Sequence, residues 1–286
     1  MQSDFLRKLL QPGRLTHVVD VGANPIDGDP PYKAMLEAGL CTVTGFEPQA
    51  SALAELEQKK SSAETYLPYA LGAGDERVLN ICRYSGWTSL LYPRPEAFRV
   101  FSQFQDNATV IDTLSVQTRK LDDIAELQPF DMLKIDVQGA ERDVFLGGIR
   151  QLQNAVAIQT EVSFIPMYIQ QPVFGDIDVT LRKLGFVPHC FSQVKTWPVG
   201  PLQYQPAAGR GYHQLLEADV VYVKDFIDPI KMSDEQLKHL CLLMHHCYGS
   251  IDLSGRCLEV LEQRGAIDNG VSRYVTHLNS SNNKSL

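Results

Sequence analysis

Acidic and small residues follow four hydrophobic segments of this chain, at the point where each segment ends. Asp20 ends the first segment and precedes the turn Gly22-Ala23-Asn24, and Glu47 ends the second. Ala70-Leu71-Gly72 follows the third segment and Asp136 ends the fourth. A glycine turn with an acid about 20–25 residues further on is typical of a site for an adenosine-bearing ligand. The glycine lets the backbone approach the ligand, and the acid accepts hydrogen bonds from ribose hydroxyls.

The glycine turn lacks the features of a phosphate-binding loop. Asn24 stands where a G-x-G-x-x-G turn has its second glycine, and the chain has no G-x-x-x-x-G-K-[ST] segment. These departures disfavour a pyrophosphate and favour a cofactor without phosphate, such as S-adenosylmethionine (SAM). Asp20 suits the ammonium group of that cofactor, because an anion near a cation is favourable. The spacing alone leaves other nucleotide-type ligands open.

Strands and helices alternate along the chain, and this order brings the four segment ends together. Apolar runs bounded by turn residues predict buried strands, and the helical segments between them predict a doubly wound α/β sheet with parallel strands. The carboxyl ends of such strands share one edge of the sheet, where ligands bind. The predicted strands are residues 16–22, 41–48, 66–71, 78–83, 115–119, 130–137, 155–162, 186–191 and 218–223.

The domain organisation follows from a change of pattern near residue 231. An N-terminal helix over residues 1–14 precedes the α/β domain, which we place at 15–230. The capping box Ser233-Asp234-Glu235-Gln236 predicts the start of a C-terminal helical hairpin over 231–270. The polar residues 271–286 predict a flexible tail. The sequence leaves open whether the hairpin covers the site or forms a homodimer contact.

The composition narrows the classes of partner. The 286 residues include 26 Lys and Arg against 34 Asp and Glu, a net charge of −8, which argues against a broad nucleic-acid interface. The apolar runs are too short to span a membrane, and the N-terminus lacks the core of a signal peptide. Six cysteines without a C-x-x-C pair indicate reduced thiols. We therefore expect a cytoplasmic protein that binds a small molecule rather than nucleic acid or membrane.

Several motifs, in this order along the chain, carry a resemblance to a known family. They are Asp20-Val21-Gly22-Ala23-Asn24, Gly45-Phe46-Glu47-Pro48, Leu121-Asp122-Asp123-Ile124, residues 133–141 (LKIDVQGAE), Glu161-Val162-Ser163-Phe164 and residues 218–222 (ADVVY). Together they resemble the FkbM family of SAM-dependent methyltransferases over residues 15–226. The resemblance implies a class I methyltransferase fold, which is Rossmann-like with a seven-stranded sheet. It also implies O-methylation of a hydroxyl on a sugar or natural product.

The same resemblance implies which residues bind the cofactor. The residues that would line the methionine side of SAM are Asp20, Gly22, Ala23 and Asn24. Those that would bind the ribose are Glu47 and Pro48, and those that would flank the adenine are Ala70 and Leu71. Asp136 would face the methyl group.

Two acids are candidates for removing the proton of the acceptor hydroxyl. Methyl transfer to a hydroxyl needs a positioned acceptor and a base, and Asp136 and Glu161 follow adjacent predicted strands. Either acid could be the base, or the pair could bind a divalent cation that lowers the pKa of the hydroxyl. The structural alternatives are Asp136 as a helix cap and Glu161 paired with Lys134 or Arg182. Gln138 stands where many family members carry Glu, so no catalytic carboxylate is expected there.

Aromatic residues near two irregular segments are candidates for the acceptor site. The segments are residues 83–89 and 193–214, and the second begins at the ligand edge of the sheet. Aromatic rings suit the faces of sugars, but packing in a core explains such rings as well. The candidate acceptor residues are Trp87, Tyr168, Trp197, Tyr212 and His213.

The sequence thus predicts a SAM-dependent O-methyltransferase that acts on a small molecule. One alternative is a methyltransferase-like binding or scaffold domain without turnover. Another is a nucleotide-cofactor oxidoreductase, which the missing glycines disfavour. The acceptor depends on loops whose folded shape the sequence does not determine.

Overall fold

A computed structural model describes residues 5–24, 28–201 and 212–282 of the chain. Part of the predicted acceptor loop, residues 202–211, lies outside these ranges, as do residues 1–4, 25–27 and 283–286. Within the described ranges the chain forms one large sheet with helices on both faces.

The main sheet contains seven of the strands found in the described ranges, and two more form a separate pair. The strands are β1 (Thr16–Val21), β2 (Cys41–Phe46), β3 (Glu64–Leu67), β4 (Glu76–Cys82), β5 (Val110–Gln117), β6 (Met132–Ile135), β7 (Ala157–Ser163), β8 (Phe186–Thr196) and β9 (Leu215–Lys224). The order in the main sheet is β3-β2-β1-β6-β7-β9-β8. The predicted third strand indeed lies at an edge, but it ends at Leu67, because Pro68 cannot donate a hydrogen bond to the ladder.

One strand of the main sheet runs against the others. β1, β2, β3, β6 and β7 pair in parallel, whereas β9 is antiparallel to both β7 and β8. The prediction of parallel strands is therefore wrong for β9. The described parts of the β8–β9 connection contain no crossover helix, and strands joined without a crossover pair antiparallel.

Helices cover the two faces of the sheet with two separate cores. The helices of the described ranges are α1 (Phe5–Leu10), α2 (Lys33–Glu37), α3 (Ala50–Lys59), α4 (Pro95–Val100), α5 (Glu141–Leu146), α6 (Phe174–Lys183), α7 (Asp234–Tyr248), α8 (Ile251–Gln263) and α9 (Gly270–Asn282). Successive residues of β1 face opposite sides, so Val18 packs with α1, α2 and the C-terminal helices, and Val19 packs with α5 and α6. Within these described helices, none has the length and apolar character needed to cross a membrane.

The C-terminal helices form a layer of the fold. Ser233 starts α7 by accepting a hydrogen bond from the Gln236 amide (3.2 Å), and α7 and α8 pack in the same core as β1, β2 and β6. The prediction of a flexible tail is wrong for most of that segment, because residues 270–282 form α9. Tyr274 of α9 is buried, and its hydroxyl lies 2.8 Å from His245 Nδ1. This anchor is a tertiary contact that the polar sequence of the segment does not reveal.

The β4–β5 pair lies between β3 and β6 in the chain, and β4 and the residues after it line part of the cavity at the ligand edge. β4 and β5 are antiparallel, and β5 begins at Val110, five residues before the start of the predicted strand at 115. After β4 the chain forms a short 3₁₀-helix at Ser85–Trp87 and turns back, where Asn80 and Ser89 exchange backbone hydrogen bonds of 2.8 and 3.2 Å. This return brings residues 85–90 towards the main sheet.

A buried polar cluster joins the start of the α/β domain to α7. Asp131 accepts two hydrogen bonds from the Arg14 guanidinium (2.6 and 2.8 Å) and one from the His17 amide (2.8 Å). His239 of α7 lies beside it, with Nδ1 3.0 Å from Thr16 Oγ1 and 3.7 Å from the Asp131 carboxylate. Burial lowers the pKa of His239, despite the attraction of Asp131.

We predict that His239 makes the fold sensitive to acid. Below about pH 6.5 the unfolded chain binds a proton at this position that the folded chain does not, so stability falls as the pH drops. The expected contribution to the slope is at most about 1.4 kcal/mol per pH unit. When unfolding in urea is measured at pH 7.5 and at pH 5.5, the free energy of unfolding should therefore fall less for His239→Gln than for the parent chain. Equal losses would contradict the prediction, since His17 and His189, whose pKa values burial also lowers, are present in both.

Candidate active site

A cavity lies at the carboxyl ends of β1, β2 and β6. Its empty volume, which includes space open to solvent, is about 730 Å³. Part of the lining comes from the strand ends of the main sheet and the segment after β3, and part comes from residues 85, 86 and 88–90. The lining residues are Val21, Gly22, Asn24, Phe46, Glu47, Pro48, Gln49, Tyr69, Ala70, Leu71, Leu79, Ser85, Gly86, Thr88, Ser89, Leu90, Asp136, Val137 and Gln138.

The turn after β1 is held against both neighbouring strands. The amides of Gly22 and Ala23 donate to the Phe46 carbonyl of β2 at 3.0 and 3.2 Å. Gly22 has φ +76°, and a Cβ there would lie only 1.9 Å from the carbonyl oxygen of Asp136. Only glycine allows this approach, which brings the ends of β1 and β6 together.

Two of the nine predicted cofactor residues, Asp20 and Ala23, do not line the cavity. The Asp20 carboxylate is buried and is engaged inside the fold, by the Tyr32 hydroxyl (2.5 Å) and the Lys134 ammonium (3.1 Å). Asp20 therefore fixes the end of β1, and the sequence missed this because Tyr32 and Lys134 approach it through tertiary packing. The other seven predicted cofactor residues line the cavity.

Glu47 supplies a buried carboxylate at one end of the cavity. Its side chain follows β2, and Oε1 accepts a hydrogen bond from the Gln49 amide (2.8 Å). Burial raises the pKa of Glu47, although this bond and the charge of Lys134 oppose the shift. The adjoining wall is apolar and includes Tyr69, whose ring carries the Arg119 guanidinium 3.7 Å from its centroid.

A pair of acids lies at the other end, and the side-chain amide of Gln138 connects them. Gln138 Nε2 is 2.8 Å from Asp136 Oδ1 and 3.1 Å from Glu161 Oε2. Asp136 lines the cavity, whereas Glu161 is only 8% exposed and lies behind Gln138. The structure thus brings the two predicted catalytic acids to one amide, but it leaves only Asp136 facing the cavity.

Glu161 has a cationic partner other than the two predicted. Its Oε1 lies 3.6 Å from Lys195 Nζ, which also binds Glu217 at 2.7 Å. Lys134 pairs instead with Asp20, and Arg182 with Asp178. Burial and the nearby Asp136 raise the pKa of Glu161 well above its usual range, while Lys195 opposes the shift.

Glu141 is a site residue whose role the sequence did not reveal. Its Oε1 accepts hydrogen bonds from the amides of Val137 and Gly139, both at 3.0 Å, and so holds the turn that follows Asp136. Burial, and secondly Asp136, raise the pKa of Glu141 to about 7. The alternative role of Asp136 as a cap is not observed, because the N-cap of α5 is Ala140, without a side-chain hydrogen bond.

Three of the predicted acceptor residues lie in a packed aromatic cluster beside the cavity. Trp87 is 5.2 Å from the rings of Phe98 and Phe104 and 6.1 Å from Tyr168, and Trp197 is 4.7 Å from Phe104, measured between centroids. Tyr168 is 1% exposed. Core packing therefore accounts for these rings, although the neighbouring residues 85, 86 and 88–90 line the cavity.

The remaining two acceptor candidates lie after the undescribed part of the loop. Tyr212 is half-buried and His213 is exposed, and neither lines the cavity formed by the described residues. Their part in acceptor binding stays a prediction.

The acids at the cavity do not form a metal centre. Across residues 5–24, 28–201 and 212–282, no three His, Cys, Asp or Glu side chains are grouped so that they could hold a metal ion. Between Asp136 and Glu161, where the sequence suggested a divalent cation, the Gln138 amide donates to both carboxylates. The donor set therefore does not fit the cation.

The strand order, with its single antiparallel strand β9, and the cavity at the carboxyl ends of the parallel strands define a class I methyltransferase fold, as predicted. The family model described as "Methyltransferase FkbM domain" matches residues 20–188. The chain belongs to this family of SAM-dependent methyltransferases. No protein with curated annotation matches the sequence.

Solved methyltransferase structures resemble the chain at low identity. Magnesium protoporphyrin IX methyltransferase from Synechocystis PCC 6803, with bound SAM, is 12% identical and covers 79% of this chain and 86% of its own, with a TM-score of 0.38. Precorrin-6y C5,15-methyltransferase from Geobacter metallireducens GS-15 is 10% identical and covers 77% of this chain and 85% of its own, with a TM-score of 0.36.

We predict that Gly22→Ala strongly destabilises the protein, because the new Cβ would collide with the Asp136 carbonyl and the backbone has a positive φ. The free energy of unfolding in urea should fall by at least about 2 kcal/mol. Gly255→Ala is the matched control, since Gly255 lies within α8 with no atom within 4 Å of its Cβ position. That variant should gain about 0.5–1 kcal/mol. Equal stabilities of the two variants would contradict this account of the turn.

Proposed function

We propose that the chain transfers a methyl group from SAM to a hydroxyl of a sugar or natural product. One observation carries the proposal: a single cavity has the buried carboxylate of Glu47 at one end and the carboxylate of Asp136 at the other. Binding the cofactor needs a carboxylate that accepts hydrogen bonds from the ribose hydroxyls, and methyl transfer needs a base beside the methyl group. Glu47 suits the first role and Asp136 the second.

The residues between the two carboxylates fit the cofactor. Glu47 accepts hydrogen bonds from the ribose hydroxyls, and an apolar surface for the adenine is formed by Pro48, Ala70 and Leu71. Gly22 and Asn24 line the cavity and lie along the methionine part. SAM supplies a methyl group already activated by its sulfonium.

The acceptor must be positioned and must lose its hydroxyl proton. Asp136 is the acid of the pair that faces the cavity, so we assign it the role of base. Glu161 acts behind it, through Gln138, and does not touch the acceptor. Ser85 lines the same cavity and brings a hydroxyl that suits a polyhydroxylated acceptor, whereas the hydroxyls of Thr88 and Ser89 already bond the Cys82 amide and the Gln138 carbonyl. We assign no role to a divalent cation between the two acids, because the Gln138 amide already links them.

We predict that Glu47→Gln weakens binding of S-adenosylhomocysteine (SAH), the demethylated cofactor, by tenfold or more. The loss corresponds to about 1.4 kcal/mol, because the amide has only one oxygen for the ribose hydroxyls and no charge. Calorimetric titration of the full chain measures it, with NAD as a negative ligand. Glu55→Gln, an exposed position on α3, is the control and should bind as the parent does. Tight binding of NAD, or SAH affinity that does not depend on Glu47, contradicts the placement.

We predict that the parent chain forms methyl ethers and that Asp136→Asn forms them at least about 100-fold more slowly, the usual effect of losing a general base. Deuteriomethyl SAM is incubated with pools of sugars and hydroxylated natural products, and mass spectrometry detects the transferred label. SAH binding and thermal unfolding confirm that the variant is folded. A chain that binds SAH but labels no hydroxyl in any pool supports the alternative of a binding or scaffold domain without turnover.

A further inference from the structure

We infer that Gln138 is a positioning residue, which holds the Asp136 carboxylate in the orientation that methyl transfer requires. The inference rests on the proposed function, since it concerns the same end of the same cavity. Beyond the proposed function, a neutral amide rather than a further acid orients the base.

The backbone of Gln138 is fixed in an uncommon conformation. Its φ is +54°, a region that residues other than glycine, Asn and Asp rarely adopt. The Ser89 hydroxyl donates to its carbonyl at 2.6 Å, and Glu141 binds the amides of the residues on either side of it. A strained backbone persists only where its surroundings determine it, and such positions concentrate at functional sites.

The side chain of Gln138 contacts a partner with each of its polar atoms. Nε2 donates to Asp136 (2.8 Å) and to Glu161 (3.1 Å), while Oε1 lies 3.1 Å from the Tyr168 hydroxyl. The opposite orientation of the amide would place its oxygen against the Asp136 carboxylate, so the chemistry of that partner favours this orientation.

This arrangement determines where the Asp136 carboxylate points. Because Oδ1 is held by the amide, the direction of the second oxygen is fixed as well. The same amide stands between Asp136 and Glu161, two acids whose charges repel. A glutamate at position 138 would add a third acid to this group, whereas glutamine supplies two hydrogens without a charge.

The test compares the affinities of SAM and SAH, which differ by one methyl group and one positive charge. In Gln138→Met, which keeps the length of the side chain but loses both donors, the preference for SAM over SAH should fall about fivefold, the size of one partly exposed ion pair. SAH affinity itself should change less than twofold. Gln138→Asn is a second variant, because asparagine tolerates a positive φ but is too short to reach both acids. It should show the same fall.

Tyr168→Phe is the matched control. It removes a hydroxyl from the same amide but leaves both Nε2 contacts in place, so its preference should equal that of the parent. Gln138 variants that keep the parental preference, or that lose SAM and SAH affinity equally, overturn the inference. If the parent binds neither SAM nor SAH, or binds SAH regardless of Glu47, then the proposed function itself is wrong. These outcomes differ from those that overturn only the role of Gln138.

Discussion

The close approach of the Gly22 backbone to the carbonyl of Asp136 is the constraint on which the site depends. It joins the turn after β1 to the end of β6, and hydrogen bonds from Gly22 and Ala23 add the end of β2. Three strand ends therefore meet with little space between their backbones. Glu47 and Asp136 come to lie at the two ends of one cavity, at a separation that the sheet sets rather than any flexible loop.

Burying acids at such an edge requires a donor for each of them. Glu47 uses the Gln49 amide, Glu141 uses the amides of the turn after β6, and Glu161 uses Gln138 and Lys195. Burial raises the pKa of all three acids, and the hydrogen bonds to Glu47 and Glu141 and the charge of Lys195 beside Glu161 oppose that shift. The same hydrogen bonds hold Gln49, Val137 and Gln138, which line the cavity, and fixed lining groups favour a reaction that depends on positioning.

The sequence predicted the parts of the molecule that follow from local patterns. Buried strands have continuous apolar runs, so the strands and the acids that end them, such as Glu47 and Asp136, could be placed at one edge. An apolar run does not encode direction, which is why the reversal of β9 was missed. Aromatic residues look alike in a core and in a binding wall, so Trp87 and Trp197 could not be assigned. The partners of Asp20 are tertiary contacts, and no spacing along the chain predicts them. Those of Glu141 are amides two and four residues before it, and these bonds depend on the shape of the turn.

In the proposed function, one cavity holds the cofactor in one orientation. A crystal structure of the full chain with SAH tests this most directly. We expect the ribose hydroxyls within about 3.2 Å of the Glu47 carboxylate, as in ordinary hydrogen bonds, and the thioether sulfur nearer to Asp136 than to Glu47. SAH bound outside this cavity, or with its sulfur at the Glu47 end, would contradict the account.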